Sequence, residues 1–121
     1  MKQSVVLVGH GSKLENSGEA LHKVCVSLRK KEPDTFFQVA FLELNSPSIP
    51  EAVRLCVDSG AKQVKVLPYF VLGGNHVKNH IPDIMVNVKK EHRGKASIVL
   101  CDYLGFHEKI VEVVKERLGC R

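Results

Sequence analysis

The sequence predicts an α/β domain in which a four-stranded parallel sheet carries helices on both faces. Two observations lead there. Four short apolar runs rich in β-branched residues, Ser4 to Val8, Phe36 to Leu42, Gln63 to Phe70 and Ala96 to Cys101, alternate with longer segments of helical period, which is the pattern of βαβ units. The first and third runs are nearly continuous in apolar character, as strands covered on both faces are. With 121 residues, positions 1–121 are expected to form one domain, since a second core would not fit.

Taken in order, the first helix is expected over Ser17 to Lys31, with Leu21, Val24, Cys25 and Leu28 on one face and Pro33 just past its end. The second opens at Ser48, a hydroxyl that can cap free N–H groups. Pro50 follows in the first turn, Glu51 completes a capping-box pattern, and Gly60 stops the helix. A third is expected between about His80 and His92, with Ile81, Ile84, Met85 and Val88 inward. A fourth runs between Phe106 and Leu118, with Ile110, Val113, Val114 and Arg117 on its face. There is no internal repeat and no low-complexity linker.

Hydrophobic residues make up 44% of the chain and charged residues 26%, the balance of a packed globular domain rather than a disordered one. No apolar stretch approaches a membrane span, and the N-terminus leads into a strand rather than a signal peptide. The expected setting is the cytoplasm, or a plastid if a transit peptide has been removed. Cys25, Cys56, Cys101 and Cys120 show no C-x-x-C spacing, so they read as free thiols, the first three buried and Cys120 exposed. The net charge of +5 favours an anionic partner. Lys30, Lys31, Lys89 and Lys90 fall late in expected helices, where cations suit the helix dipole and face water.

In open parallel sheets ligands bind outside the carboxyl ends of the strands, which directs attention to three loops. The first strand ends in Gly9-His10-Gly11-Ser12-Lys13, a histidine between two glycines that permit tight turns and close approach. The second ends in Phe41-Leu42-Glu43-Leu44, where Glu43 is the first charge after an apolar run, either a ligand or a solvated strand end. The third leads to Gly73-Gly74-Asn75-His76, with His80 four residues on, the spacing of metal-binding histidine pairs that share a face if the segment is already helical. Pro82 is expected to disrupt a continuous helix through His76, so His80 is placed at a helix start rather than beside His76. Two imidazoles and a carboxylate suit a divalent first-row ion, and three candidate ligands describe an open, transient or catalytic site rather than a structural zinc. Neither dinucleotide nor Walker phosphate loops are present, nor a serine-nucleophile elbow.

These motifs resemble one family, the sirohydrochlorin chelatases of the CbiX and SirB type in their short form, over about Ser4 to Leu118. The resemblance rests on Val8-Gly9-His10-Gly11-Ser12, on Phe41 through Ile49, on Gly60-Ala61-Lys62 leading into Leu67-Pro68-Tyr69-Phe70, and on Gly74-Asn75-His76-Val77-Lys78-Asn79-His80-Ile81-Pro82. It implies a flavodoxin-like, chelatase-like fold. His10, Glu43 and His76 would be catalytic and metal-handling, and Gly9, Gly11, Ser12, Lys13, Tyr69, Phe70 and Gly74 would meet the tetrapyrrole; His80, a departure from the family pattern, is a candidate further ligand on its own chemistry. The implied reaction inserts cobalt, iron or nickel as M²⁺ into sirohydrochlorin without ATP and releases two protons, the route to cobalamin, sirohaem or F430. No permanent cofactor, nucleic acid or membrane is implied, and a homodimer is.

The substrate's eight carboxylates would give the positive charge a purpose in steering. Two departures stand out: the family usually has Asp-Ile-Pro where this chain has His80-Ile81-Pro82, and commonly an arginine where Lys13 stands. Loss of the aspartate is expected to cost about 1 kcal/mol of helix capping unless Asn79 or Asp83 supplies it. Lysine at position 13 keeps the charge without arginine's bidentate fork. The rival reading from another class is a non-enzymatic carrier of metal or tetrapyrrole on the same fold, which would use the same histidines.

Overall fold

The structure is a computed structural model and describes residues 3–13 and 18–119. Strand β1 (Gln3–Gly9) is followed by α1 (Glu19–Lys31), β2 (Phe36–Phe41), α2 (Ile49–Asp58) and β3 (Gln63–Pro68). A single π-helical turn, His76–His80, then runs into α3 (Ile81–Glu91), and β4 (Ser97–Leu100) and α4 (Glu108–Arg117) complete the chain. All pairings are parallel, in the order β2-β1-β3-β4. The expected strands and helices are present, with ends moved by a residue or two. The expected start at Ser17 and the thiol of Cys120 lie outside the described residues.

Alternation along the strands divides the core in two. Val6 and Val8 of β1, Ala40 of β2, Val64 and Val66 of β3 and Ile98 of β4 face one side. They pack against Ile49, Ala52, Val53 and Cys56 of α2 and Ile81, Met85 and Val88 of α3. On the other side Leu7, Phe37, Val39 and Phe41 meet Leu21 and Cys25 of α1, with Val24 and Leu28 at the margin. The inward faces expected for the first and third helices are therefore the ones that pack, because apolar residues spaced three and four apart share one helical stripe.

Three expectations are corrected. β3 is not covered equally on both faces: Lys65 and Leu67 are only half-buried, because α1 lies over β1 and β2. Helix α4 has the expected face but buries no residue, and Val113 and Val114 are 51% and 50% exposed. Periodicity reports which side of a helix is apolar, not whether this chain covers it. Cys101 is half-buried at the end of β4 rather than in the core, whereas Cys25 and Cys56 are buried. Burial in apolar surroundings raises the Cys56 thiol to about 11, which keeps it inert.

The capping box of α2 forms as its sequence predicts. Ser48 Oγ accepts from the Glu51 N–H at 3.3 Å, and Glu51 Oε1 accepts from the Ser48 N–H at 2.8 Å. The bond from the Ser48 backbone holds the Glu51 carboxyl below its ordinary range. Arg54 forks onto Glu91, tying α2 to α3. Ser48→Ala should cost about 1 kcal/mol in urea unfolding. Because the Glu51 carboxyl is depressed in the fold, its contribution is complete above the unfolded carboxylate value and is lost as pH falls through the lower folded one. The stability gap between wild type and Glu51→Ala should accordingly close in acid; a gap unchanged down to low pH would show the box is not what stabilises α2.

Candidate metal-handling site

The site begins where the ladder between β1 and β2 continues past both strands. The Leu42 N–H donates to the Gly9 carbonyl at 3.0 Å and the Glu43 N–H to the His10 carbonyl at 3.1 Å. The two loops are pressed together at Gly11, which has φ +100 and where a Cβ would lie 1.8 Å from the Glu43 carbonyl oxygen. No side chain fits there, so glycine at position 11 is what lets the loops meet. Asn45 Oδ1 then accepts from the Ser12 N–H at 2.6 Å. As a result His10 Nε2 stands 2.9 Å from Glu43 Oε1, both side chains about half exposed at 48% and 52%.

The third loop is registered on the same central strand, the Tyr69 N–H donating to the Val8 carbonyl at 2.8 Å. Farther on, Gly73 lies against Tyr103, whose hydroxyl would be 2.5 Å from a Cβ at that position. These contacts bring the His76 ring to 4.8 Å from that of His10, centroid to centroid, at an interplanar angle of 49°. The three loops thus converge as the sheet-edge argument requires, with His10, Glu43 and His76 adjacent.

His80 departs from expectation. It flanks α3, as anticipated, but its Nδ1 is also 3.2 Å from Nδ1 of His76. Pro82 does not separate them, because it falls in the first turn of α3, where a missing N–H is tolerated, while the turn before it closes by a π-type bond from the Ile81 N–H to the His76 carbonyl. The same continuity removes the expected capping cost. His80 is already in right-handed helical conformation and α3 has no side-chain cap, so neither Asn79 nor Asp83 is needed. Asn79 instead donates to Asn75 Oδ1 at 2.9 Å.

The donors form a row, Glu43, His10, His76, His80, along the carboxyl edge of the sheet. Among the described residues no three of them already converge on one point. Of the other residues singled out, Lys13 is exposed, and Gly74 has open space where a side chain would be. Tyr69 is 37% exposed, whereas Phe70 is half-buried against the core and so is partly structural. The fourth loop carries a feature that no sequence expectation covers. A cavity of about 260 Å³ lies at the ends of β3 and β4, lined in part by Val77, Lys78, Cys101, Asp102 and Tyr103. Its signal was available: Asp102 follows the fourth apolar run much as Glu43 follows the second.

Comparison with known proteins places the chain in a family. The CbiX family model matches residues 4–120. The sirohydrochlorin cobaltochelatase of Sulfolobus acidocaldarius is 34% identical over 113 residues, which cover 93% of this chain and 87% of that protein. The chloroplastic sirohydrochlorin ferrochelatase of Arabidopsis thaliana is 32% identical over 114 residues, 94% of this chain but 50% of the plant protein. Among solved structures, the sirohydrochlorin chelatase SirB of Bacillus subtilis subspecies spizizenii, in complex with cobalt, superposes with a TM-score of 0.83 at 27% identity. That match covers 98% of this chain and 50% of the SirB chain, so the chain spans about half the length of two of these relatives. On the extent of the family match and the shared fold, the chain belongs to the CbiX family.

Proposed function

We propose that this chain is a chelatase that inserts a divalent metal ion, cobalt, iron or nickel, into sirohydrochlorin without ATP. The observation that carries the reading is the contiguous set of Glu43, His10 and His76, half exposed at the carboxyl edge of the sheet, in a chain of a family whose relatives bear chelatase names. A metallating site must hold the ion, release it, and accept two protons from the pyrrole nitrogens as two metal–nitrogen bonds form. Imidazoles at a wet sheet edge meet the first two needs. Each offers a neutral nitrogen lone pair, and exposure leaves the ion free to exchange.

Glu43 serves the third need. Its carboxylate orients the His10 ring through the 2.9 Å contact and gives a departing proton an acceptor next to the ion. The ion is substrate, and the net change is sirohydrochlorin plus M²⁺ to metallo-sirohydrochlorin plus 2H⁺. No phosphate chemistry is required, because coordination by the macrocycle supplies the driving force. The charge of +5 draws in a polycarboxylate, with Lys13 and the Lys78 side of the fourth-loop cavity as positive groups near the edge.

The partner that best fits the outer surface is a second copy of the chain. Phe106 and Leu118 flank α4 with 77% and 71% exposure, and Val113 and Val114 leave its apolar face open. The half-length match to SirB supports two such units around one tetrapyrrole. No helix among the described residues is long and apolar enough to cross a membrane; the setting we propose is the cytoplasm.

Three outcomes are expected. Anaerobic incubation with sirohydrochlorin and each ion should give multiple turnovers above the uncatalysed rate, whereas stoichiometric uptake without turnover would identify a carrier. His10→Ala or His76→Ala should lower turnover by at least about 100-fold, the upper end of the scale for losing even an outer partner of a metal site, with circular dichroism unchanged. Full activity in either would sink the mechanism. Val113→Asp with Val114→Lys should shift the mass in light scattering from dimer to monomer, and a wild-type protein that is monomeric at high concentration would rule out the second copy.

A further inference from the structure

We propose that His80 is a third imidazole ligand for the incoming ion, giving this chain a capture site of His10, His76 and His80 built on the Nδ1 pair of His76 and His80. The inference rests on the reading of His10 and His76 as metal-handling residues and deepens it by naming what biases the choice of ion.

The argument is geometric. Two nitrogens bound to one ion at about 2.0–2.1 Å lie about 2.8–3.4 Å apart for bond angles between a right angle and the tetrahedral value. The Nδ1 atoms of His76 and His80 are 3.2 Å apart, within that interval, so the pair matches a chelating bite before any ion arrives. With one ring carrying its N–H at Nδ1 the two are joined by a hydrogen bond, and when both rings carry it at Nε2 a divalent ion takes the proton's place between the two lone pairs. The π-helical turn sets this spacing through the Ile81-to-His76 backbone bond, so it is a property of the fold's local backbone. Both rings are only half-buried, and the His10 ring stands 4.8 Å from that of His76, centroid to centroid, close enough to supply a third nitrogen to an ion held there.

A third nitrogen donor has a chemical consequence. Affinity for nitrogen ligands rises from iron(II) through cobalt(II) to nickel(II), and each added imidazole multiplies that preference. His80 therefore tilts capture toward cobalt and nickel relative to iron, while leaving the reaction type unchanged.

The test is anaerobic titration of the purified protein with Co²⁺, Ni²⁺ and Fe²⁺ at fixed pH in the absence of tetrapyrrole, with X-ray absorption spectroscopy counting imidazoles on bound cobalt. The expected results are three imidazoles in wild type and two in His80→Gln, with Co²⁺ and Ni²⁺ bound at least about tenfold more weakly by the variant and the nickel-to-iron affinity ratio reduced. Two imidazoles in wild type, or unchanged affinity in a folded His80→Gln, would overturn the proposal. If the variant does not fold, the wild-type imidazole count decides alone. Failure of the chelatase reading appears elsewhere, as absent turnover with sirohydrochlorin, and leaves this measurement intact.

Discussion

Everything at the carboxyl edge depends on one backbone contact, the approach of Gly11 to the carbonyl of Glu43. A parallel ladder ordinarily stops where its strands stop, and the loops beyond diverge. Here the β1–β2 ladder runs on through two further bonds, and only the missing Cβ at position 11 allows it. That closeness is what turns a histidine on one loop and a glutamate on another into a pair 2.9 Å apart. Since β1 is central, its other neighbour aligns the third loop through the Tyr69-to-Val8 bond, so a single strand registers all three donors.

Beneath the edge, the sheet is supported unevenly. The face under α2 and α3 is the larger apolar layer, with Val6, Val8, Val64 and Val66 fully buried. The opposite face is closed by α1 over β1 and β2 only. At roughly 25 cal/mol per Å², the first layer supplies most of the hydrophobic stabilisation, and it lies directly below β1 and β3, whose ends carry His10 and the loop to His76. The less covered face of β3 and β4, where Val99 is 36% exposed, is on the far side of that support. Rigidity is placed under the site and openness away from it.

The sequence made the alternation of elements legible because strand and helix periods differ and because strong punctuation marks the ends: Ser48 with Glu51, Pro33, Gly60. It made His10, Glu43 and His76 legible because all three follow strand ends, where the chain must leave the sheet. His80 was misplaced for a definite reason. A 3.6-residue period carries no sign of a single wider turn, and a proline reads as a stop even when it falls harmlessly in a first helical turn. The fourth helix was visible as an amphipathic segment, yet what an apolar face packs against is a property of tertiary placement. The cavity at Asp102 and Tyr103 was not legible because no histidine or glycine pair marks the fourth loop, although Asp102 follows its strand as Glu43 follows the second.

The row of donors, as opposed to a cage, has a kinetic meaning. An ion held with a dissociation constant of about 1 μM and captured at about 10⁸ M⁻¹s⁻¹ departs about 100 times each second. A closed four-ligand cage lengthens that residence by orders of magnitude, and a protein whose task is delivery would then become a sink. On the proposed chelatase reading, Glu43, His10, His76 and His80, strung along an open edge, would give short dwell times with several stopping points. An ion passing from one donor pair to the next would never have to shed all of its protein ligands at once, so handover would proceed through partial exchanges rather than through one high barrier.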